Sequence, residues 1–128
     1  METRTRLGLL LAFSVALSAR PAAAQAPAGV TPALITQGDS IFHGKGNCYA
    51  CHGSNAQGTV GPNLTDAEWL HSDGSYDAIV KQVTTGVPKE QSKSGIVMPP
   101  RGGSTITDDE VKAVAAYVYS LSHKKAGA

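Results

Sequence analysis

Five consecutive residues, Cys48-Tyr49-Ala50-Cys51-His52, constrain this chain more than anything else in its 128 residues, and they hold both of its cysteines. Cysteines at i and i+3 lie on one face of a helical turn. The residue at i+4 extends that face, so two sulfurs and an imidazole converge. A disulfide across so short a loop constrains little of the unfolded chain and adds little stability. A structural zinc site needs four well-placed ligands, more than this cluster supplies. A redox dithiol of the Cys-X-X-Cys kind belongs with alternating strands and helices, a pattern absent from this sequence. The histidine after the second cysteine selects the remaining chemistry, thioether attachment of a c-type haem with the adjacent imidazole on iron.

Upstream, Met1 to Arg6, the apolar run Leu7 to Ala19 and the Ala22-Ala23-Ala24 triplet have the three-part layout of a secretory signal peptide over residues 1–24. The apolar run is short for a membrane span and is closed by Arg20 and Pro21, so cleavage is expected rather than stable membrane insertion. Arg4 and Arg6 are split by Thr5, which argues for a Sec-type route to the periplasm, and no cysteine near Ala24 is available for a lipid anchor. The remainder of the chain is roughly 100 residues, one small domain, which excludes a large multidomain enzyme. Its eight basic and nine acidic side chains nearly cancel, which argues against a nucleic-acid partner.

Along that domain the pattern is helical. Residues 25–34 read as an Ala/Pro-rich flexible lead, residues 35–124 as the folded unit and residues 125–128 as a tail. Gly38 and Phe42 share one helix face, and residues 66–71 suggest a short helical turn. Tyr76, Ile79, Val80 and Val83 are spaced for one face of a middle helix over residues 75–85. Residues 86–104 form a long loop carrying Met98. Thr107-Asp108-Asp109-Glu110 is a capping box, after which Val111, Val114, Ala115, Val118 and Leu121 recur at helical spacing. Lys124 and Lys125 suit the negative end of that helix dipole, and Gly127 does not prolong it. Aromatic residues make up only 5% of the chain, a thin core that a haem would fill.

With the haem motif, the Gly38/Phe42 pair, Gly61-Pro62-Asn63-Leu64, Met98 and the C-terminal helix in this order, the stretch Ile35 to Lys124 resembles the class I (monohaem) c-type cytochromes, the small bacterial cytochrome c family. The resemblance implies an all-α cytochrome c fold, three to four helices and loops wrapped around one haem c held through Cys48 and Cys51. It also implies that Gly38 and Phe42 pack against the C-terminal helix at Tyr117 or Val118 with Leu121. In such proteins a proline carbonyl accepts the ring N–H of the proximal histidine, which places Pro62 against His52. Taken alone, Gly-Pro-Asn is a turn. Removing Met1 with the leader leaves Met98 as the remaining methionine, the expected sixth iron ligand opposite His52. A lone methionine is ordinarily a core gap-filler, but Pro99 and Pro100 stiffen the segment behind this one. Of the rival ligands, His43 is too near the haem motif in sequence, His123 ends the last helix, and His71 stays a competitor.

Iron bound by both His52 and Met98 has no open position for substrate. The resulting expectation is a one-electron carrier, not an enzyme, without catalytic residues. A haem peroxidase or gas-binding sensor requires a labile Met98 bond, and a fixed electron-transfer subunit of an oxidase or dehydrogenase complex is a further alternative. Expected partners are redox proteins such as an oxidase, reductase or dehydrogenase, met by a monomeric or weakly associated chain. Lys81, Lys89, Lys93 and Arg101 flank the Met98 loop as either steering charges or a solvated surface. Trp69 and Arg101 are candidates to hold haem propionates, by indole N–H donation and charge pairing.

Overall fold

The computed structural model describes residues 26–124. The leader over residues 1–24, the tail over 125–128 with Lys125 and Gly127, and the start of the lead at Gln25 lie outside the described residues. Among the described residues four α-helices occur in order: α1 (Pro32–His43), α2 (Tyr49–His52), α3 (Tyr76–Thr85) and α4 (Asp108–Ser122), with short 3₁₀ turns at Lys89–Gln91 and Pro100–Gly103. Among the described residues the only extended pairing is one antiparallel bridge between Val87 and Met98.

Helix α1 starts inside the stretch expected to be a flexible lead. Thr31 caps it, its Oγ1 accepting from Leu34 N at 3.1 Å, and Pro32 at the first turn lacks an N–H that would have gone unpaired there anyway. Val30, just before the cap, is buried. The Ala/Pro composition obscured this Thr-Pro start signal.

The molecule is organised around the pairing of α1 with α4. A Cβ on Gly38 would overlap the carbonyl oxygen of Ala113 and stand 2.9 Å from Tyr117 Cβ, so the two backbones touch where glycine permits it. One turn on, Phe42 is fully buried and meets Tyr117 edge-to-face, ring centroids 5.3 Å apart. Helix α4 is buried on more than one face, through Val111, Ala113, Val114, Ala115, Ala116 and Val118, because α1 and α3 both pack on it. Its capping box forms as read: Thr107 Oγ1 accepts from Glu110 N, and Glu110 Oε2 accepts from Thr107 N at 2.8 Å. It ends at Ser122, which leaves Lys124 beyond the last turn instead of within it.

Helix α3 has the expected span, capped by Ser75, with Ile79 and Val83 buried. The helical turn expected over residues 66–71 does not form. Asp66 Oδ1 accepts from Glu68 N at 3.0 Å and, just upstream, Asn63 Oδ1 accepts from Thr65 N at 2.8 Å; these local side-chain bonds compete with helical ones.

His43 ties the end of α1 to the segment after α2. Its Nε2 donates to Ser54 O at 2.7 Å, and its Nδ1 lies 3.0 Å from Asp39 O and 2.9 Å from Asp39 Oδ1. Only the imidazolium donates from both nitrogens, so these acceptors, Ser54 O first and Asp39 O next, raise its pKa above 6.5.

Gly38→Ala should separate α1 from α4 at a cost of about 3 kcal/mol, measured as a large fall in the melting temperature of the haem-loaded protein. For His43, a folded pKa above the unfolded one means that the group stabilises fully below pH 6.5 and loses that contribution as pH rises through the raised value. The melting temperature should therefore decline from mildly acidic to mildly alkaline buffer, and His43→Leu should flatten that decline.

Candidate functional site

A tight reversal carries the chain from α1 into the five-residue motif. Gly46 N donates to Ile41 O at 2.9 Å and Cys48 N to Phe42 O at 3.1 Å, while Asn47 takes the left-handed conformation that asparagine tolerates, φ 51°. Cys48 therefore stands at the start of α2, and one helical turn brings Cys51 and His52 onto the same short element. Cys48 and Cys51 are not joined to each other by a disulfide. Burial pushes the Cys48 thiol up to about 11, so it stays protonated at neutral pH.

The loop after α2 satisfies the carbonyls that the helix end leaves open. Gly61 N and Thr59 Oγ1 both donate to Cys51 O at 2.8 Å, and Gly58 N donates to His52 O at 2.8 Å. That wrapping returns Pro62 to the imidazole: His52 Nδ1 donates to Pro62 O at 2.9 Å. A carbonyl only accepts, so Nδ1 carries the hydrogen and Nε2 keeps its lone pair. Burial lowers the His52 pKa against the opposing pull of the Pro62 bond, and the ring is neutral. Gly61 lies against it, since a Cβ there would stand 3.0 Å from His52 Cε1.

Cys48, Cys51, His52, Pro62 and Met98 line a single cleft of about 1020 Å³ including its open mouth, at the upper end for a cofactor site. Phe42, Ile79, Val83, Val114 and Val118 bring apolar surface to it from α1, α3 and α4. Met98 is half-buried and fixed through its backbone: Met98 N donates to Val87 O at 3.0 Å and Val87 N to Met98 O at 2.8 Å. Gly86 makes this approach possible, because a Cβ there would overlap Met98 O and stand 2.7 Å from Pro100 N. The roles of Gly86 and Val87 were not anticipated from the sequence; the signal was a glycine at the end of a helical pattern.

The other histidines separate by place. His43 and His123 are outside the cleft lining, His123 stacked on Tyr119 at 3.8 Å. His71 lines it, but its Nε2 accepts from Lys93 N at 3.0 Å. Trp69 lines the cleft, with Gly74 seated against its indole. Arg101, expected near a propionate, is engaged elsewhere. Its Nη1 donates to Ile106 O at 2.6 Å and its Nη2 pairs with Asp108, holding the Met98 loop to the start of α4.

Two thiols, a neutral imidazole and a thioether on one apolar cleft form a donor set that fits a covalently bound haem. Among the described residues, one buried side-chain polar atom has no partner, Oε1 of Gln82, and Gln82 also lines this cleft. The helical fold and this site define a c-type cytochrome domain. Residues 33–118 match the family described as cytochrome c oxidase, cbb3-type, subunit III, and the chain belongs to it. It is 40% identical over 92 residues to the cbb3-type cytochrome c oxidase subunit CcoP of Rubrivivax gelatinosus, covering 71% of this chain and 27% of that protein. It is 41% identical over 103 residues to the subunit FixP of Rhizobium meliloti, covering 76% and 30%. The chain thus spans less than a third of these relatives' length. Cytochrome cL from Methylophaga aminisulfidivorans superposes with a TM-score of 0.56 at 25% identity, over 71% of this chain and 55% of that one. Cytochrome cL from Hyphomicrobium denitrificans, 21% identical, shares the fold with a TM-score of 0.56 over 70% and 48%. Membership of this family carries a covalent haem c with it. Among the described residues no helix is long and apolar enough to cross a membrane.

Proposed function

We propose that this domain is a one-electron carrier and not itself an enzyme, with haem c fixed through Cys48 and Cys51, His52 and Met98 as the axial iron ligands, and Pro62 as the residue that orients His52. The observation that carries this reading is the His52 Nδ1 bond to Pro62 O in a cleft that Met98 also lines. When bound, the haem supplies a reversible Fe(II)/Fe(III) couple. The Pro62 carbonyl fixes the tautomer that leaves Nε2 for the metal and raises its basicity. The Val87 bridge holds Met98 from both its N–H and its carbonyl, which argues against the labile thioether that a peroxidase or gas sensor requires. His71, with Nε2 already accepting a backbone N–H, is a poorer candidate.

The partner class is a redox protein, and the names of the CcoP and FixP relatives support a terminal oxidase. The signal-like N-terminal segment supports export and work in the periplasm by the cytochrome unit at residues 35–124, whose first helix is capped upstream at Thr31. Lys81, Lys89 and Lys93 are exposed beside the site and available to steer an acidic partner, whereas Arg101 is committed to Asp108.

Met98→Ala should retain the haem but lose the weak far-red charge-transfer band of methionine on ferric haem. It should also weaken reduction at least tenfold, about 59 mV per tenfold for one electron. His52→Ala should impair haem assembly itself. An unchanged band and potential in Met98→Ala would overturn the ligand assignment. Electron-transfer rates with the oxidase should fall steeply with added salt, and a flat salt profile would defeat the steering role of the three lysines.

A further inference from the structure

Arg101 stands just beyond Met98, with Pro99 and Pro100 between them. Its backbone is left-handed, φ 54° and ψ 28°, a conformation that a long side chain keeps only where its surroundings impose it. Glycine would take it without strain, and the next two residues, Gly102 and Gly103, are glycines with φ 64° and 75°. The bonds of the arginine side chain are what offset that strain. Only 27% exposed, it reaches two acceptors at the entry of α4: Nη1 donates to the carbonyl of the buried Ile106 at 2.6 Å, and Nη2 pairs with Asp108. A charged, planar fork makes strong and directional bonds of this kind. The same turn is closed by Ser104 Oγ, which donates to Arg101 O at 2.6 Å, and by Gly102 N, which donates to Pro99 O at 3.0 Å.

The turn anchored in this way is continuous with Met98. Pro99 and Pro100 fix φ at two successive positions, so little of a displacement at Arg101 is absorbed before it reaches Met98. Behind them the chain backs onto the end of α3, where a Cβ on Gly86 would stand 2.8 Å from Pro99 C and 2.7 Å from Pro100 N. Met98, Pro99 and Gly102 line the cleft and Arg101 does not, so the arginine acts from outside the cleft wall. Resting on the Met98 ligation proposed above, we propose that Arg101 is a positioning residue for the sixth iron ligand: its guanidinium anchors the Met98 turn to the entry of α4 and sets how slowly Met98 gives way to a competing ligand. The Val87 pairing holds one side of Met98. Losing the arginine anchor frees the other side to move.

The test is the rate of cyanide binding to the haem-loaded ferric protein at saturating cyanide, where the departure of Met98 limits the reaction, with the far-red band and melting temperature recorded alongside. Arg101→Met should bind cyanide about tenfold faster than wild type, the size expected when a hydrogen bond from a charged donor is lost. Arg101→Lys keeps the charge without the fork, and its rate should fall between the two. Lys112→Met removes an ion pair with Asp109 that lies within α4 and does not reach the loop, so its rate should match wild type. A merely structural role would lower the melting temperature and leave the cyanide rate unmoved. An unchanged rate in Arg101→Met, or an equal rise in Lys112→Met, overturns the proposal. If Arg101→Met does not fold, Arg101→Lys decides, and a wild-type rate there overturns it as well. The wild-type band separates the two failures: its absence refutes Met98 ligation and this inference with it, whereas its presence with unchanged rates refutes Arg101 alone.

Discussion

Contact between the backbones of α1 and α4 at Gly38 and Ala113 is the constraint from which the remaining geometry descends. With α1 fixed there, Phe42 enters the core and its carbonyl receives Cys48 N, so the helix crossing sets where the two-cysteine turn begins. With α4 fixed there, Val114 and Val118 are turned to the cleft, and α3 closes the arrangement through Tyr76 Oη, which donates to Lys112 O at 3.2 Å. The three helices thus share one apolar core, and part of that core also lines the cleft.

The electrostatics of that space favour neutral donors. Desolvation lowers the His52 pKa and raises that of the unattached Cys48 thiol, so burial disfavours charge on both groups for the same reason. The charged side chains of the described residues form their pairs away from the cleft lining, Lys45 with Glu110 and Arg101 with Asp108. A haem iron enclosed in this way would be tuned by oriented dipoles such as the Pro62 carbonyl more than by full charges.

Much of this was legible in the sequence because it rests on local chemistry. The Cys-X-X-Cys-His spacing, the Thr107–Glu110 capping box and the Ser75 cap act within one or two turns, and each element formed where its signal stood. Gly38 with Phe42 was readable through the family resemblance, since nothing local reveals what a bare helix glycine faces. The illegible parts depend on which of several competing partners a side chain meets in the fold. Arg101 suggested an anion site by its charge, yet the fold brings Asp108 and the Ile106 carbonyl to it first. Gln82 carries no signal of its own until α3 presents it to an apolar cleft. The failed turn at residues 66–71 was a contest between local bonds and helix that Asn63 and Asp66 decided.

The loop between α3 and α4 shows how a long irregular segment supplies a firm wall. It is fastened in three places: the Val87–Met98 bridge near its start, the Lys93 N–H on His71 in its middle, and Arg101 on Ile106 and Asp108 at its end. Arg101 takes a left-handed backbone conformation, φ 54°, uncommon for a side chain of its size, and its guanidinium bonds hold the turn that requires it. The first closes the loop on itself, and the other two join it to the segment before α3 and to the start of α4, so displacing Met98 requires undoing several contacts. On the proposed reading, such a wall would hold Met98 in both oxidation states and leave little to rearrange when the charge changes.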